Sequence, residues 1–509
     1  MANKITEFLD SKIVKKDVGE ETFLTWRENI SYALGRGAQG MFTSMTGSKY
    51  LNYFLTNILL ERFATPERPG RPMEIASKIR FFCGIFDAIN DPIMGIIVDK
   101  TRTKEGQMRP YIRIAPWLVA AVMLLFFLGI PGGMPDWVCI AWTVFLFVGL
   151  DVTYTAFDIP MGALAFAITP NGIERTKLYG ISSIVRSISG TLPGLFVACA
   201  GWLPYFSTHT SKAYLTGAVV SAVGILGFTR ITYKNTTERT VHHEEAPSVK
   251  DCFSLLFRNR PLLMLFLANL FFLLVKVANQ VSFYFVADLM FTTKYNVFID
   301  VITFPAFLLA GIGVPKLMEK LGTRADPRKF YRICCVAAIA GHVLFTLVCY
   351  DGFLQKDPGT VISLPMGILT VLFTGLTTIP LECKNLMQKE MEAETVDYIE
   401  WKTGTRVEGI MLSIMSFTGK IENSVSSSIG FAVLAYTGYI AHTEGSLIQN
   451  AATNQALFFM TTLLPAVGYL LMLIPMAFYN ISGKSHRMMI EELKARHEAQ
   501  ETAPSAIGE

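Results

Sequence analysis

Apolar stretches of about twenty residues or more recur along nearly the whole chain, separated by short polar interruptions, and each is long enough to cross a bilayer as a helix. In order they run Ser31 to Leu60, Ile75 to Val98, Tyr111 to Ile130, Trp137 to Ile168, Leu178 to Pro204 and Tyr214 to Tyr233. They continue as Leu262 to Phe291, Phe298 to Leu321, Phe330 to Tyr350, Ile362 to Met387, Val407 to Tyr436 and Ala456 to Tyr479. Twelve such spans predict an all-α membrane protein. Several exceed the minimum length, which leaves room for tilt or bending. The longest polar interruption, Lys234 to Arg260, divides the spans six and six.

Lys and Arg in the short loops orient the chain, because such residues accumulate on the cytoplasmic side. The loop after span 2 carries Lys100, Arg102, Lys104 and Arg109, and that after span 8 carries Arg324, Arg328 and Lys329. The middle segment carries Lys234, Arg239, Lys250, Arg258 and Arg260. The loops after spans 3, 9 and 11 are poor in both types, although Arg62, Arg68 and Arg71 after span 1 break the pattern. Both termini are then expected on the cytoplasmic side of a cell membrane. The expected segments are a cytoplasmic N-terminal segment (1–30), a six-helix bundle (31–233), a linker (234–260), a second six-helix bundle (261–480) and a cytoplasmic tail (481–509).

Composition agrees with this class: 51% of the 509 residues are hydrophobic and 17% charged, against about 25% charged in soluble proteins. The net charge of +4 is small and its basic residues lie in loops rather than in one patch, which argues against nucleic acid as a partner. The 8 cysteines include no CxxC pair, so neither a disulfide framework nor a zinc site is indicated. Residues Met1 to Asn29 are polar, without the short apolar core of a signal peptide, so span 1 is expected to be retained.

Within this apolar frame a few charged residues are costly enough to demand a reason. Asp87 and Asp91, in "FDAINDPIMGIIVDKTRTKEGQMRPY", stand four residues apart and project from one helix face. Two neighbouring carboxylates in a low dielectric need a cation, or one of them must take a proton. A monovalent cation such as Na⁺ suits these oxygens without the fixed geometry Mg²⁺ demands. A solvated structural pair is the plainer alternative. Asp158 in "DVTYTAFDIPMG" is a third intramembrane carboxylate, with Thr155 one turn earlier on the same face and Tyr154 beside it. Arg186 and Lys420 are intramembrane cations able to balance these charges. Arg186 could also pair with Asp158 for architecture alone. Lys276 is open to contact with an anionic group or with a wet surface, and His342 is expected as a packing residue. The stretch Asp99 to Arg109, with Lys100, forms a charged cytoplasmic loop expected to take part in gating.

"DAINDPIMGIIVDKTRTKEGQMRPY" resembles the signature between helices 2 and 3 of the glycoside-pentoside-hexuronide:cation symporters, the family of melibiose permease. "AETVDYIEWKTGTRVEG", Ala393 to Gly409, resembles that family's second signature, between helices 10 and 11. The resemblance implies the major facilitator fold: twelve transmembrane helices in two pseudo-symmetric six-helix bundles, with a site near midplane. It implies a Na⁺-coupled symporter, H⁺ or Li⁺ serving in some members, working by alternating access as a monomer among membrane lipids. No cofactor is implied. Carried onto this sequence, Asp87, Asp91 and Thr155 match cation-site positions, Asp158 matches a carboxylate that serves sugar hydroxyls, Arg186 a helix 5 arginine of the binding region, and Lys420 a helix 11 lysine close to the cation site. Asp397, Tyr398, Glu400, Lys402 and Arg406 match the second signature, which lies at the cytoplasmic gate.

Two positions depart from the sugar-transporting pattern: Phe42 replaces a helix 1 aspartate that grips sugar hydroxyls, and Gly162 replaces a sugar-stacking tryptophan. The helix 1 stretch "QGMFTSMTGSKYLNYFL" is also somewhat similar to the sodium-dependent lysophosphatidylcholine symporters. The expected substrate is therefore a sugar or glycoside, or a lysophospholipid-like amphiphile. Proton-coupled or uncoupled transport is the alternative mode. A membrane aspartyl protease would want its two aspartates on facing helices, whereas these share one, and no HExxH motif is present.

Overall fold

The computed structural model describes residues 9–13, 23–130, 133–169, 172–200, 203, 205, 210–239, 256–291, 295–321, 326–357, 359–404, 408–442 and 448–502. Helices occupy all twelve predicted spans. They are α1 (Trp26–Thr46), α2 (Ser48–Phe54), α3 (Arg71–Lys100), α4 (Arg109–Leu128), α5 (Asp136–Ile168), α6 (Gly172–Ala200), α7 (Thr210–Asn235) and α8 (Arg260–Tyr284). The second half continues with α9 (Tyr295–Leu308), α10 (Val314–Leu321), α11 (Pro327–Leu354), α12 (Leu364–Thr403), α13 (Glu408–Thr437), α14 (Ala451–Thr462), α15 (Leu464–Phe478) and α16 (Gly483–Thr502).

Among the described residues 8 helices are each long and apolar enough to cross a membrane, and α14 with α15 forms a ninth span bent by 40°. Pro465, two residues after the break at Leu463, lacks the N–H that a continuous helix would use. The three remaining spans are interrupted or diluted: α1 stops at Gly47, α9 gives way to a π-turn before α10, and α13 contains the polar run "TGKIENSVSSS".

Helix α12 outruns its expected end at Met387 by sixteen residues, so the second signature begins as helix rather than loop. The stretch "MQKEMEAETVDYIEWKT" contains no glycine or proline, and the helix stops only at Gly404, whose φ of 75° suits a residue without a Cβ.

Two compact units emerge from the packing. The first comprises Met1–Glu245, Gln280–Val297 and Ser427–Asn454, and the second Ala246–Asn279, Phe298–Ser426 and Gln455–Glu509. In the first, α1 runs along α6 and α7. That close approach depends on glycine: a Cβ on Gly40 would overlap the backbone oxygen of Arg186 on α6.

The first unit also holds a buried polar seam. Asn52 donates to Gln280 Oε1 at 2.7 Å, the Thr56 and Tyr284 hydroxyls lie 2.6 Å apart, and Asn57 donates to the Tyr439 hydroxyl at 2.9 Å. Tyr439 in turn donates to Asp288 Oδ2 at 2.6 Å, while His442 Nε2 sits 3.2 Å from Asp288 Oδ1. A buried chain of this kind is costly unless each member is paired, so it specifies one register for these segments. Nearby Arg62, an exception to the loop-charge pattern, is held by Asp136 at 3.1 Å and by the carbonyl of Met134 at 3.0 Å.

Glu238, in the linker, caps the start of α4. Its carboxylate accepts from the backbone N–H groups of Gln107, Met108 and Arg109 at 2.7 to 2.8 Å. These N–H groups have no helical partner, and the negative charge sits at the positive end of the helix. The loop reaches the cap through Gly106, at φ 115°, where any side chain would strike the Glu238 carboxylate. Arg239 then pairs with Glu28 Oε1 at 2.6 Å. The first signature is thereby fastened to the linker.

In the second unit α11 packs against α12 and α15, and α16 against α12. Trp401 Nε1 donates to Glu492 Oε2 at 2.6 Å, and Arg496 donates to the Trp401 carbonyl at 2.7 Å. His486 Nε2 lies 2.9 Å from Asp397 Oδ2. The tail helix is thus docked on the second signature.

Candidate functional site

Asp87 and Asp91 both lie half-buried on α3, one turn apart, as their spacing requires. Thr155, buried on α5, donates its hydroxyl to Asp91 Oδ1 at 3.2 Å. Two oxygen-bearing side chains from separate helices therefore converge where the sequence places a cation site. Among the described residues no group of three His, Cys, Asp or Glu side chains forms a site for a metal ion. The Asp91 and Thr155 oxygens are hard donors brought together from two helices.

One residue from Thr155, Tyr154 stacks on Phe42 of α1 with ring centroids 4.1 Å apart and planes 8° from parallel. Asp158, a turn further along α5, accepts from the Gln39 side-chain amide of α1 at 2.7 Å. Arg36 and Arg186 place positive charge around the Tyr154 hydroxyl. A Cβ on Gly162 would meet no heavy atom within 4 Å, so the face of α5 beyond Asp158 is open. An aromatic pair beside an amide and a carboxylate is the type of surface that binds a polyhydroxylated ring.

Lys420 is half-buried on α13 in the second unit. Of the residues expected at the gate, Lys100 is exposed at the end of α3. Arg109 donates to the Tyr233 carbonyl at 3.0 Å, with its guanidinium carbon 4.9 Å from that ring. Glu400 is buried near the end of α12, and Asp397 meets His486. Asp99 lies in α3 but its side chain is outside the described residues, as is Arg406 altogether. Lys276 meets Glu422 Oε2 at 2.8 Å, and His342 stacks on Tyr469 at 6.0 Å.

The family model described as MFS/sugar transport protein matches residues 31–483. The chain belongs to that family. It is a transporter rather than an enzyme, with the all-α major facilitator fold and a multi-pass place in a membrane. It is 28% identical over 498 residues to the isoprimeverose transporter of Lactiplantibacillus pentosus, covering 95% of this chain and 94% of that one. It is 26% identical over 497 residues to a glucuronide carrier protein homologue of Escherichia coli (strain K12), covering 95% and 99%. Among solved structures, a D-xylose–proton symporter superposes with TM-score 0.56 at 13% identity, over 88% of this chain and 97% of that one. That likeness concerns the fold.

Sequence reading alone does not single out Gln39, Arg80, Glu238 or Lys384. Gln39 stands in plain view, an amide within the glycine-rich part of α1 and three residues before Phe42. Arg80 lies two turns before Asp87 on α3 and donates to Ser427 Oγ at 3.0 Å. An arginine at that depth is itself a signal.

The docking of α16 on the second signature carries a pH prediction. The hydrogen bond to Asp397 holds the His486 pKa above its ordinary value; burial opposes this, and Glu394, Asp397 and Glu390 add to it electrostatically. A raised folded-state pKa means that the stabilisation is complete below the histidine's ordinary range and fades as pH rises through the elevated value. Hydrogen-exchange protection of residues 483–502 is expected to fall as pH rises above the ordinary histidine range. A His486→Gln variant should show low protection throughout; equal pH dependence in that variant would assign the effect elsewhere.

Proposed function

We propose that this chain is a sodium-coupled symporter that carries a sugar or glycoside across the cell membrane by alternating access. Asp87, Asp91 and Thr155 hold the cation. Gln39, Phe42, Tyr154, Asp158 and Arg186 receive the substrate beside the open face at Gly162. The observation that carries the reading is the Thr155 to Asp91 hydrogen bond at 3.2 Å, set one residue from the Tyr154 and Phe42 stack.

That adjacency supplies a coupling route. Thr155 of the cation site and Tyr154 and Asp158 of the substrate site occupy little more than one turn of α5. A cation that draws Thr155 and Asp91 together holds this turn in place, so it lowers the ordering cost of substrate binding. The effect is reciprocal. Gating roles fall to Asp99, Lys100 and Arg109 at the first signature, and to Asp397, Glu400 and Arg406 at the second. Residues 31–233 and 261–480 form the two bundles, and both termini face the cytoplasm.

For the sugar reading, the Gln39 and Asp158 pair replaces the hydroxyl-gripping function that Phe42 removes from α1, and two curated relatives are named for glycoside substrates. The deciding measurement is uptake of labelled lactoside, glucuronide and lysophosphatidylcholine into proteoliposomes, under a Na⁺ gradient, a proton gradient or none. Sugar uptake driven by Na⁺ supports the proposal. Uptake of the lysolipid alone would replace the substrate, and uptake driven only by protons would replace the ion.

A further inference from the structure

Three stretches far apart in the sequence meet in the buried seam of the first unit: the π-turn Leu55–Leu59 that extends α2, the π-turn Phe285–Leu289 that extends α8, and the connection after α13. Each ends an odd-numbered span, so with cytoplasmic termini the seam lies at the outer end of the carrier. Beside it α3 meets α13. Ser77 Oγ donates to the Ser428 carbonyl at 2.9 Å, Ser428 Oγ donates back to the Ser77 carbonyl at 3.1 Å, and a Cβ on Gly70 would overlap the Ala435 carbonyl oxygen.

At the centre of the seam stands Asp288, whose side chain is 0% exposed; among the described residues no lysine or arginine lies within 4 Å of it. The carboxylate accepts a neutral hydrogen bond from Tyr439 at 2.6 Å, and His442 Nε2 stands 3.2 Å from its other oxygen. The second ring nitrogen is committed. Nδ1 faces the Ile440 carbonyl at 3.3 Å, and a carbonyl only accepts, so Nδ1 carries a hydrogen. A neutral imidazole has one N–H, so its Nε2 would present a lone pair to the carboxylate. Only the imidazolium donates to Ile440 and Asp288 together.

The other groups facing the pair are the phenols of Tyr53, Tyr214, Tyr284 and Tyr439, with Glu61 adding negative potential. The Tyr53 hydroxyl lies 3.4 Å from His442 Nε2. Arg80 on α3 acts on Tyr284, but it donates to Ser427 Oγ at 3.0 Å and its charge is balanced by Asp151 and Asp87. Burial pushes the His442 pKa down, yet the hydrogen bond to Asp288, the Asp288 charge, the Ile440 carbonyl and Glu61 outweigh it and hold the value above the ordinary one.

We infer that Asp288 and His442 form a proton-binding site that locks the outer gate: the proton that makes His442 an imidazolium closes the seam, and its loss strands the Asp288 carboxylate and releases the seam. This rests on the proposed alternating access and adds a regulating ion distinct from the Na⁺ of Asp87, Asp91 and Thr155. With a raised folded-state value, the locking contribution is complete below the ordinary histidine range and fades as pH rises through the elevated value. An acidic exterior therefore holds the carrier shut on the outside, and an alkaline one frees it to open.

The test is hydrogen exchange on the full-length protein in lipid nanodiscs, without Na⁺ or sugar, in buffers on either side of the ordinary histidine range. Protection factors, which already remove the intrinsic pH dependence of exchange, are read for residues 55–63 and 435–442. They are expected to fall by at least about tenfold on the alkaline side, because stranding one member of a buried pair is strongly destabilising. Those of α4 should stay constant. Asp288→Asn removes the charge and supplies an amide that donates to the neutral imidazole, so protection should be high in both buffers. His442→Leu leaves the carboxylate alone, so protection should be low in both. A purely packing role would instead lower protection in both variants, and that result would overturn the lock. So would wild-type protection that ignores pH, or unchanged pH dependence in either folded variant, and sugar transport would still stand. The wild-type comparison decides the matter should a variant fail to fold. Absence of uptake for every solute and gradient, measured separately in proteoliposomes, would overturn the transport cycle and the lock with it.

Discussion

Asp91→Asn is expected to lower Na⁺-driven uptake by more than about a hundredfold while the protein still inserts and purifies as a folded species. The substitution keeps the shape of the side chain and its ability to accept from Thr155 Oγ1, now 3.2 Å from Asp91 Oδ1. It removes one unit of negative charge from the cation pair. In a partly dehydrated site the cation depends on that charge to replace its lost hydration, and altering even an outer-shell partner costs about ten- to a hundredfold in ion affinity. Because Tyr154 and Asp158 share a turn with Thr155, substrate affinity should also lose its dependence on Na⁺. The measurement is sugar affinity with and without about 100 mM Na⁺, a range that spans typical weak ion binding. Retained Na⁺ dependence in the variant would remove Asp91 from the cation site.

Gly40→Ala is expected to have the largest effect on stability. The added methyl would overlap the carbonyl oxygen of Arg186, a backbone atom with no rotamer to retreat to. Overpacking in a closely fitted contact costs about 1–3 kcal/mol and sometimes more. Here α1 and α6 would have to separate along a face that also carries Gly37 against Ser189. The same separation would shift Gln39 away from Asp158, its partner at 2.7 Å, so substrate affinity should fall together with the melting temperature. Gly227→Ala on α7 is the control, since no atom lies within 4 Å of its Cβ position. That variant should match or slightly exceed the wild type, because alanine is about 0.5–1 kcal/mol better than glycine inside a helix. Similar melting temperatures for both variants would mean that α1 does not depend on the close approach.

Much of the candidate site is legible in the chain's hydropathy, and the reason is the membrane. A carboxylate in an apolar run carries a penalty so large that Asp87, Asp91 and Asp158 stand out one by one, and spacing four apart places the first two on one face. The same cost makes Arg186 and Lys420 visible. Less legible are partners whose meaning depends on another helix. Gln39 carries no charge and is a modest penalty on its own, so only its 2.7 Å contact with Asp158 assigns it a place. Glu238 lies in a polar linker where a glutamate raises no question, and it becomes a cap only because the linker folds back on α4. Helix ends are hidden as well: α12 continues through the second signature because nothing in "MQKEMEAETVDYIEWKT" stops it before Gly404.

Hydropathy and charge along the chain are enough to establish twelve spans, an all-α membrane class and the intramembrane carboxylates Asp87, Asp91 and Asp158, since these follow from the cost of each residue in lipid taken one at a time. Tertiary structure alone decides the pairs: Thr155 with Asp91, Gln39 with Asp158, Phe42 on Tyr154, Glu238 on α4, and α16 on the second signature. Each joins residues of ordinary local preference that are distant in the chain, and short-range attraction between such groups exists only after packing brings them within a few ångströms.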